Sequence, residues 1–504
     1  MAFTHHGDLP YLPQELFQMI VRDLEPVDIV RCRRVSSAWY RAFTNPISLI
    51  QILKSSYPRA KEVRELCQPD TPNALQTVHG LSQDKWRALF DTVVERYHRL
   101  TSCGKPRSVQ KFDLQETNTA ENGCCYVAVE HWETHTSHPG TKIDMLFGHT
   151  FWTYEEGLVV FPDKHERSLV VLDLETRLTY MVPFVIANKN IRRIRLQDRL
   201  LVVEWADEDQ PDMWSGCGWY YHYATSFEIN RVGRAWDVTL RNEWEMIPNG
   251  LSLGYSDRFF STHNRRHYAI YTSLDSHTAH RLTIWDISKP SEYRPSQDCM
   301  NQLEDTATDA EPFIVFEYDY DALDLMGLRM SRQGEWHIEI MRMDIDSSTS
   351  TVSITQVMDG GRMDYNPLEY TPRTKVTCLP FRPGCSPLQE VQTVYPQTVY
   401  PPYRGNCSME IPPWTATSPW PCYWGICEST DEKANVSFCL SYLSSRTQTG
   451  YEEDPLMVTI QTSQSIKTLN HEFAEEVSFK GKICGDERFL VGENAQNQLV
   501  VLYF

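Results

Sequence analysis

The sequence predicts a multidomain chain, with a small all-α domain of three short helices, then a helical linker and then a large all-β domain. Three observations lead to this prediction. Apolar residues near the N-terminus recur every three or four positions, as along one face of a helix. The same spacing returns between Trp86 and Tyr97, and from about residue 107 the period changes to two, which is typical of strands. We place the domain boundaries at residues 8–54, 55–106 and 107–504.

The first predicted helix carries a stripe of apolar side chains, and Pro26 follows soon after it. A proline suits the first turn of a new helix, because its φ is fixed and the missing N–H has no partner there. Helical spacing then continues from Ile29 to Phe43, and Asn45-Pro46 ends this second helix. The segment 47–53 can supply a third helix. The stripe of the first helix consists of Leu12, Leu16, Met19, Ile20 and Leu24.

The spaced residues of this N-terminal segment resemble the F-box motif. The resemblance lies in Leu12-Pro13-x-Glu15-Leu16, Ile20, Leu24, Pro26-x-Asp28, Arg34-Val35-Ser36 and Trp39. One departure is Ile47-Ser48-Leu49, which stands where the family often has a Leu-Trp pair. The motif covers less than a tenth of the chain, but its specificity is high because many spaced positions agree in order. Together with divergent repeats downstream, it looks like a large group of fungal F-box proteins.

The resemblance implies a function and a set of contact residues. It implies the substrate-recognition subunit of an SCF-type cullin–RING ubiquitin ligase, which binds the SCF adaptor, and through it the cullin and RING subunits, while the β domain binds a protein target. The chain itself would not be an enzyme. The alternative is an F-box scaffold or regulatory protein without ligase activity. The implied adaptor-binding residues are Leu12, Pro13, Leu16, Ile20, Leu24, Pro26, Ile29, Val35 and Trp39.

Charge and composition limit the partners. The net charge of -19 argues against a nucleic-acid binder, which needs a basic face. Residues 1–60 carry seven Lys or Arg and five acidic side chains, a balance of about +2, so an acidic adaptor would be favoured there. The alternative is that Arg31, Arg33, Arg34 and Arg41 form an ordinary solvated face.

Targeting features are absent from the sequence. Residues 1–10 lack the basic and apolar regions of a signal peptide, and no apolar run reaches the roughly 18 residues of a membrane span. The 14 cysteines are scattered along the chain, which favours reduced thiols. We therefore expect no membrane partner and a cytoplasmic and/or nuclear location.

Between the N-terminal helices and the β region, the segment 55–80 contains three prolines and is predicted to be a linker with one short helical turn. A clear helix follows, whose apolar stripe must be buried. Packing of this helix between the N-terminal domain and the body would fix their relative orientation. The stripe consists of Trp86, Leu89, Phe90, Val93, Val94 and Tyr97.

Repeats predict the architecture of the β region. An apolar-acidic-apolar triplet recurs around Asp173, Glu228, Asp286 and Asp344, with spacings of 55, 58 and 58 residues. A second mark, in which an acid and an arginine precede an apolar strand, occurs at 198–201, 257–260 and 486–490. A repeat of this length in an all-β chain predicts a β-propeller of four-stranded blades. The alternative is a pair of β-sandwiches or another large all-β fold.

Six blades are favoured, and seven stay open. A Pro-rich insertion at 379–421 explains why the spacing after Asp344 is too long. The lone strand at 112–114 could complete the last blade. The dipeptides Trp236-Asp237 and Trp285-Asp286 lack the Gly-His signature of WD repeats, so the propeller would be a divergent one.

No chemical site stands out in the sequence. His131, His135 and His138 have helical spacing but lie next to Pro139 and Gly140, so a loop is favoured over a zinc site. Cys124-Cys125 is best explained as two small buried side chains. A Gly-rich phosphate loop and a nucleophile elbow are absent. We therefore expect no catalytic residue, metal or cofactor, leave the substrate-binding residues unidentified, and keep open a hydrolase whose carboxylates come from separate blades.

Overall fold

The computed structural model of the chain describes most of the N-terminal helical region and most of the β region. The described residues are 9–67, 82–103, 105–115, 151–165, 168–187, 189–207, 222–233, 235–246, 258–274, 279–297, 312–318, 323, 328, 338–358, 373–382, 392–394, 422–444 and 456–504.

The chain divides into two compact units. The first comprises Met1–Lys111, Pro421–Ser445 and Tyr451–Phe504, and the second comprises Phe112–Trp420 and Arg446–Gly450. The N-terminal helices therefore share a unit with the final strands. The domain boundaries at 8–54, 55–106 and 107–504 stay predictions.

The first unit begins with short helices that match the predicted pattern with one change. The predicted second helix is two helices, because Ser36 caps a new one: its Oγ accepts the backbone N–H of Trp39 at 3.2 Å. Asn45 and Pro46 start the next helix, where the Asn45 side chain accepts the N–H of Ile47 at 3.0 Å. A 3-10 turn at Leu9–Tyr11 precedes α1 (Gln14–Arg22), α2 (Pro26–Cys32), α3 (Ser37–Ala42), α4 (Pro46–Ser56), α5 (Lys61–Cys67) and α6 (Gln83–His98), and a π turn at Arg99–Cys103 follows.

In its described residues, the second unit contains four antiparallel sheets, each of four strands in sequence order. Period-two segments such as 168–182 and 281–287 form strands as predicted. The sheets are β2 (Thr153–Glu155), β3 (Leu158–Asp163), β4 (Ser168–Asp173), β5 (Leu178–Val185); β6 (Lys189–Gln197), β7 (Leu200–Asp207), β8 (His222–Val232), β9 (Ala235–Glu245); β10 (Arg258–His263), β11 (His267–Leu274), β12 (Ala279–Asp286), β13 (Phe313–Tyr318); and β14 (Ile338–Asp346), β15 (Thr351–Met358), β16 (Arg373–Pro380), β17 (Gln392–Val394).

Consecutive sheets of this unit share apolar cores. Val171 and Phe184 of the first sheet pack in one cluster with Trp205 of the second. Val202 of the second sheet clusters with Tyr268 of the third, and Ile284 of the third clusters with residues of the fourth. Each sheet thus buries its face against the next one, which is how propeller blades are stabilised.

The part of the first unit that the structure describes holds two further four-stranded sheets. One consists of β18 (Cys422–Asp431), β19 (Val436–Ser444), β20 (Leu456–Gln461) and β21 (Ile466–Thr468). Helix α7 (His471–Ser478) leads to the other, in which β22 (Cys484–Gly485), β23 (Phe489–Glu493) and β24 (Gln498–Tyr503) are completed by β1 (Ser108–Asp113) beside β24. The segment predicted to complete the last sheet does so. The described residues thus contain short helices followed by a propeller-like region of six four-stranded antiparallel sheets, as predicted.

The repeat marks are only partly in register. Asp173, Glu228 and Asp286 lie on the third strand of their sheets, whereas Asp344 lies on β14, a first strand. The spacing of 58 before Asp344 is therefore a coincidence. Two of the acids that are in register stabilise the turn after their strand. The carboxylate of Asp173 accepts the backbone N–H of residue 175, and that of Asp286 accepts the N–H of residue 288, each at 2.8 Å.

Several predictions fall outside the described residues. These are the histidines at 131, 135 and 138, the cysteines at 124 and 125, and nearly all of the Pro-rich insertion at 379–421. Among the residues described, no group of three or more His, Cys, Asp or Glu side chains could hold a metal ion. Within the same residues, no helix combines the length and apolar character needed to cross a membrane.

Candidate partner-binding surface

Helix α1 has two apolar faces, and only one of them is buried. Phe17 and Val21 point inward, with 6% and 2% of their surface exposed. Leu16, Met19 and Ile20 lie on the other face and are 48%, 63% and 41% exposed. Because they are spaced at i, i+3 and i+4, these three side chains are neighbours on the helix surface. We call Leu16, Met19 and Ile20 the outer face of α1.

The inner face of α1 is held by an aromatic core. The ring of Phe17 meets that of Phe43 edge to face, with centroids 5.0 Å apart, and Trp39 stacks on Phe43 at 5.5 Å. Ile29 of α2 and Leu49 of α4 are both fully buried in the same cluster. The outer face therefore lies on a packed support and is not itself needed to close the core.

The nine predicted contact residues have different environments. Pro13, Leu16, Ile20 and Val35 are exposed, while Leu12, Leu24, Pro26 and Trp39 are half-buried. Ile29 is 0% exposed, so the direct contact predicted for it is corrected to a packing role: it supports the surface from below. For the other eight, adaptor contact stays a prediction.

Sequence reasoning missed part of both faces. Phe17 and Val21 also keep helical spacing, at i and i+4, and this signal could have identified the inner face. Tyr11 and Ile47, which are 59% and 64% exposed, add apolar surface in the same helical region and were not among the predicted contacts.

The basic face is smaller than predicted, because Arg33 is not part of it. Only 7% of Arg33 is exposed, and its guanidinium donates to the backbone carbonyl of Phe43 at 3.0 Å and to the carboxylate of Asp91. It also lies over the ring of Phe90, 5.1 Å from the centroid. Burial lowers the pKa of Arg33, although the charge of Asp91 opposes this effect.

Of the four arginines predicted to form the basic face, three are exposed. Arg31 is paired with Asp28 at 3.0 Å across one turn of α2, and Arg34 and Arg41 are exposed. Pairs of this kind contribute little to stability, so these side chains can turn toward an acidic partner at low cost.

Helix α6 is attached to the helices that carry the surface. The side-chain amide of Gln83 donates to the carbonyl and hydroxyl oxygens of Thr44 at 3.2 and 3.1 Å. Farther along α6, the carboxylate of Asp91 accepts a hydrogen bond from the guanidinium of Arg33. Phe90 and Val94 pack in the apolar core that contains Phe17. The predicted apolar stripe of this helix is buried as expected. Polar contacts at two turns of α6, together with the shared core, hold it against α2, α3 and α4.

Burial also perturbs two side chains within this helical region. Burial, with a smaller contribution from Glu25, raises the pKa of Tyr57 to about 12. Burial and the charge of Asp28 raise the pKa of the Cys32 thiol. Both groups are therefore neutral at physiological pH, which suits their place in or beside an apolar core.

Comparisons with known proteins identify one part of the chain. Residues 9–51 match the family model described as F-box-like. No curated protein sequence matches the chain.

Solved structures are similar to the chain only at a low level. A chain of the crystal structure of a mitotic checkpoint complex is 8% identical, with 80% of this chain and 92% of that chain covered and a TM-score of 0.33. The WD40 domain of SCAP from fission yeast is 10% identical, with 69% and 82% covered and a TM-score of 0.23. The fold assignment therefore rests on the sheets described above.

Proposed function

We propose that this chain, an F-box protein by its N-terminal domain, is the substrate-recognition subunit of an SCF-type cullin–RING ubiquitin ligase. In this role the helices α1 to α4 bind the adaptor, and the adaptor connects the chain to the cullin and RING subunits. The propeller-like region binds a protein target. The chain performs no catalytic step, since ubiquitin transfer takes place elsewhere in the assembly.

The observation that carries the proposal is the outer face of α1. Three large apolar side chains stand next to one another on a helix whose core-facing side is already satisfied by Phe17 and Val21. Exposed apolar clusters on well-packed elements are typical of protein-binding surfaces. The F-box-like match at residues 9–51 includes this helix.

Charge supports an acidic adaptor for this surface. Residues 1–60 have a balance of about +2, and Arg31, Arg34 and Arg41 are exposed there, while the whole chain carries -19. The strongly negative remainder of the chain is suited to a target with a basic surface. Holding that target near the charged ubiquitin-conjugating enzyme would raise the effective concentration of its lysines. We place this activity in the cytoplasm and/or the nucleus.

The test is co-purification with the full chain and two variants in which glutamate replaces exposed apolar residues. Leu16→Glu/Ile20→Glu puts two carboxylates on the outer face of α1, whereas Leu178→Glu/Val185→Glu puts two on exposed apolar positions of β5. Wild-type chain and the β5 variant should each retain adaptor, cullin and RING subunit. The α1 variant should lose all three.

The outcomes separate the candidate functions. Retention of the adaptor by the folded α1 variant would contradict the docking surface. Binding of adaptor without cullin would favour the non-ligase scaffold. Once the ligase is established, affinity capture with the proteasome inhibited, from cells carrying wild type or the α1 variant, would identify targets as proteins that both chains retain and that are ubiquitinated only with the wild-type chain.

A further inference from the structure

In three of the described sheets, a two-residue turn that begins with an acid joins two neighbouring strands of a hairpin. In each, two residues separate the paired strand ends, and the first of the two is acidic: Glu156, Asp198 and Glu487. Asp198 is followed by an arginine, and both have positive φ, 55° and 61°, as type I′ hairpin turns require. The corresponding pair in the last sheet is Glu487-Arg488, which occupies the same hairpin position but does not have positive φ, so its turn has a different backbone conformation.

The environment of this acid differs sharply in the last sheet. The side chain of Glu156 is 55% exposed, and Asp198 is exposed as well. Glu487 is 1% exposed. An acid that elsewhere faces solvent is therefore buried here, and a buried carboxylate requires compensating donors.

Two helices of the same unit supply those donors. The backbone N–H of Lys61, at the start of α5, donates to Oε1 of Glu487 at 2.6 Å. The hydroxyl of Tyr97, near the end of α6, donates to Oε2 at 2.5 Å. Arg96 lies 3.6 Å and Arg64 3.9 Å from the same carboxylate. Each carboxylate oxygen thus has one hydrogen bond and one cation from the helices.

A second carboxylate completes the cluster. The guanidinium of Arg96 donates to both oxygens of Glu62 on α5, so Arg96 is shared between Glu62 and Glu487. Burial alone would raise the pKa of Glu62, but the hydrogen bonds and charge of Arg96 lower it overall. Two carboxylates thus face the guanidinium groups of Arg96 and Arg64, although burial outweighs these charges at Glu487 and raises the pKa of its carboxyl group.

Hydrogen bonds fix direction in a way that apolar packing does not, because they depend on angle as well as distance. The N-terminal end and the middle of α6 are joined to the F-box helices, through Gln83 and Asp91. We propose that Glu487 is a positioning residue that sets the direction in which the F-box helices project from the last sheet. Resting on the proposed function, this means that Glu487 also sets the geometry of ubiquitin transfer.

The test measures orientation directly in the full chain. Nitroxide labels are placed at the exposed positions Glu15 and Ala495. Pulsed electron paramagnetic resonance then measures the distance between α1 and the last sheet. The labels are introduced through a genetically encoded ketone residue, so that the 14 native cysteines stay unlabelled. The readout is the width of the distance distribution.

Three variants and a matched control decide the outcome. Glu487→Gln keeps an acceptor oxygen but removes the charge, Glu487→Ala removes both, and Tyr97→Phe removes one donor. The control is Glu156→Gln, the same exchange at the equivalent exposed turn. We expect Glu487→Ala and Glu487→Gln to broaden the distance distribution at least about twofold, because loss of the Glu487 charge leaves Arg96 imperfectly compensated. The width for Tyr97→Phe should lie between that of wild type and those of the Glu487 variants. Glu156→Gln should leave the width unchanged.

A reconstituted assay separates positioning from adaptor docking. Adaptor affinity of the Glu487 variants should stay within about twofold of wild type, because the outer face of α1 is untouched. The rate of ubiquitin transfer to lysines of the chain itself should fall at saturating adaptor.

Unchanged widths in the folded Glu487→Gln and Tyr97→Phe proteins would overturn the inference, even if Glu487→Ala does not fold. Failure of the wild-type chain to bind the adaptor would instead contradict the proposed function. The distance measurement on the isolated chain would still decide the role of Glu487.

Discussion

Removal of the outer face of α1 should weaken adaptor binding by a predictable amount. In Leu16→Ala/Met19→Ala/Ile20→Ala, the deleted side chains are 48%, 63% and 41% exposed, which together is about one and a half apolar side chains. Burying one such side chain contributes about 1.5–3 kcal/mol, so the loss should be about 2–4 kcal/mol. The Kd for the adaptor should therefore rise about 30- to 1000-fold.

The same variant should remain folded. Its deleted side chains leave no cavity, because Phe17 and Val21 still fill the core, and alanine is a good helix former. We expect the free energy of unfolding to change by about 0.5 kcal/mol or less. Val21→Ala on the inner face is the contrasting case, and it should lower that free energy by about 2 kcal/mol.

Titration calorimetry with purified adaptor measures the affinity, and urea denaturation measures the stability. The matched control is Leu178→Ala/Met181→Ala/Val185→Ala, which removes a similar exposed apolar set, 54%, 60% and 70% exposed, from β5. This control should bind the adaptor as wild type does. If the α1 variant is folded and its Kd stays within about threefold of wild type, less than 0.7 kcal/mol, the outer face is not the docking surface.

Three further predictions concern stability. Burial, aided by the positive charges of Arg193 and Arg195, lowers the pKa of His263 to about 3 from 6.5, so below pH 6.5 the unfolded chain binds a proton that the folded chain does not. The free energy of unfolding should therefore fall by up to about 1.4 kcal/mol per pH unit from this residue, a slope that His263→Gln should remove in urea titrations and that would contradict the assignment if it persisted. Arg33→Ala should cost about 2–4 kcal/mol, because a carbonyl and a carboxylate lose their donor, and an unchanged denaturation midpoint would refute this role. Gly492→Ala would place its Cβ 2.0 Å from the carbonyl oxygen of Val477, so the melting temperature should drop by several degrees, equivalent to about 1–3 kcal/mol, and an unchanged melting temperature would contradict this.

The starts of helices and the positions of strands could be predicted from the sequence where they depend on neighbouring residues. The starts of α2 and α4 follow from Pro26 and Pro46, and the strands from period-two segments, because these signals act over a few residues. The break before α3 was missed, although Ser36 is a good capping residue. Helical spacing alone does not distinguish one helix from two that are joined by a short turn.

Burial was harder to predict from the sequence, because a sequence pattern does not specify which of two apolar faces of a helix packs against the core. The stripe from Leu12 to Leu24 included Leu16 and Ile20, which the structure leaves exposed, while the neighbouring stripe of Phe17 and Val21 is buried. Similarly, the sequence pattern does not distinguish Arg33 from its neighbours Arg31 and Arg34. Its contacts with Phe43, Phe90 and Asp91 do, and Asp91 is 58 residues away.

The sequence by itself determined the F-box motif, the order of helices before strands and the approximate length of the repeat. These are properties of spacing, so they can be read along the chain. Only the tertiary structure decided that Ile29 supports the surface from below, that Asp344 lies out of register and that Glu487 is buried while Glu156 is exposed. The physical reason is that burial, pairing and register depend on segments that are hundreds of residues apart in sequence, as Tyr97 and Glu487 are, and that meet only in the folded chain.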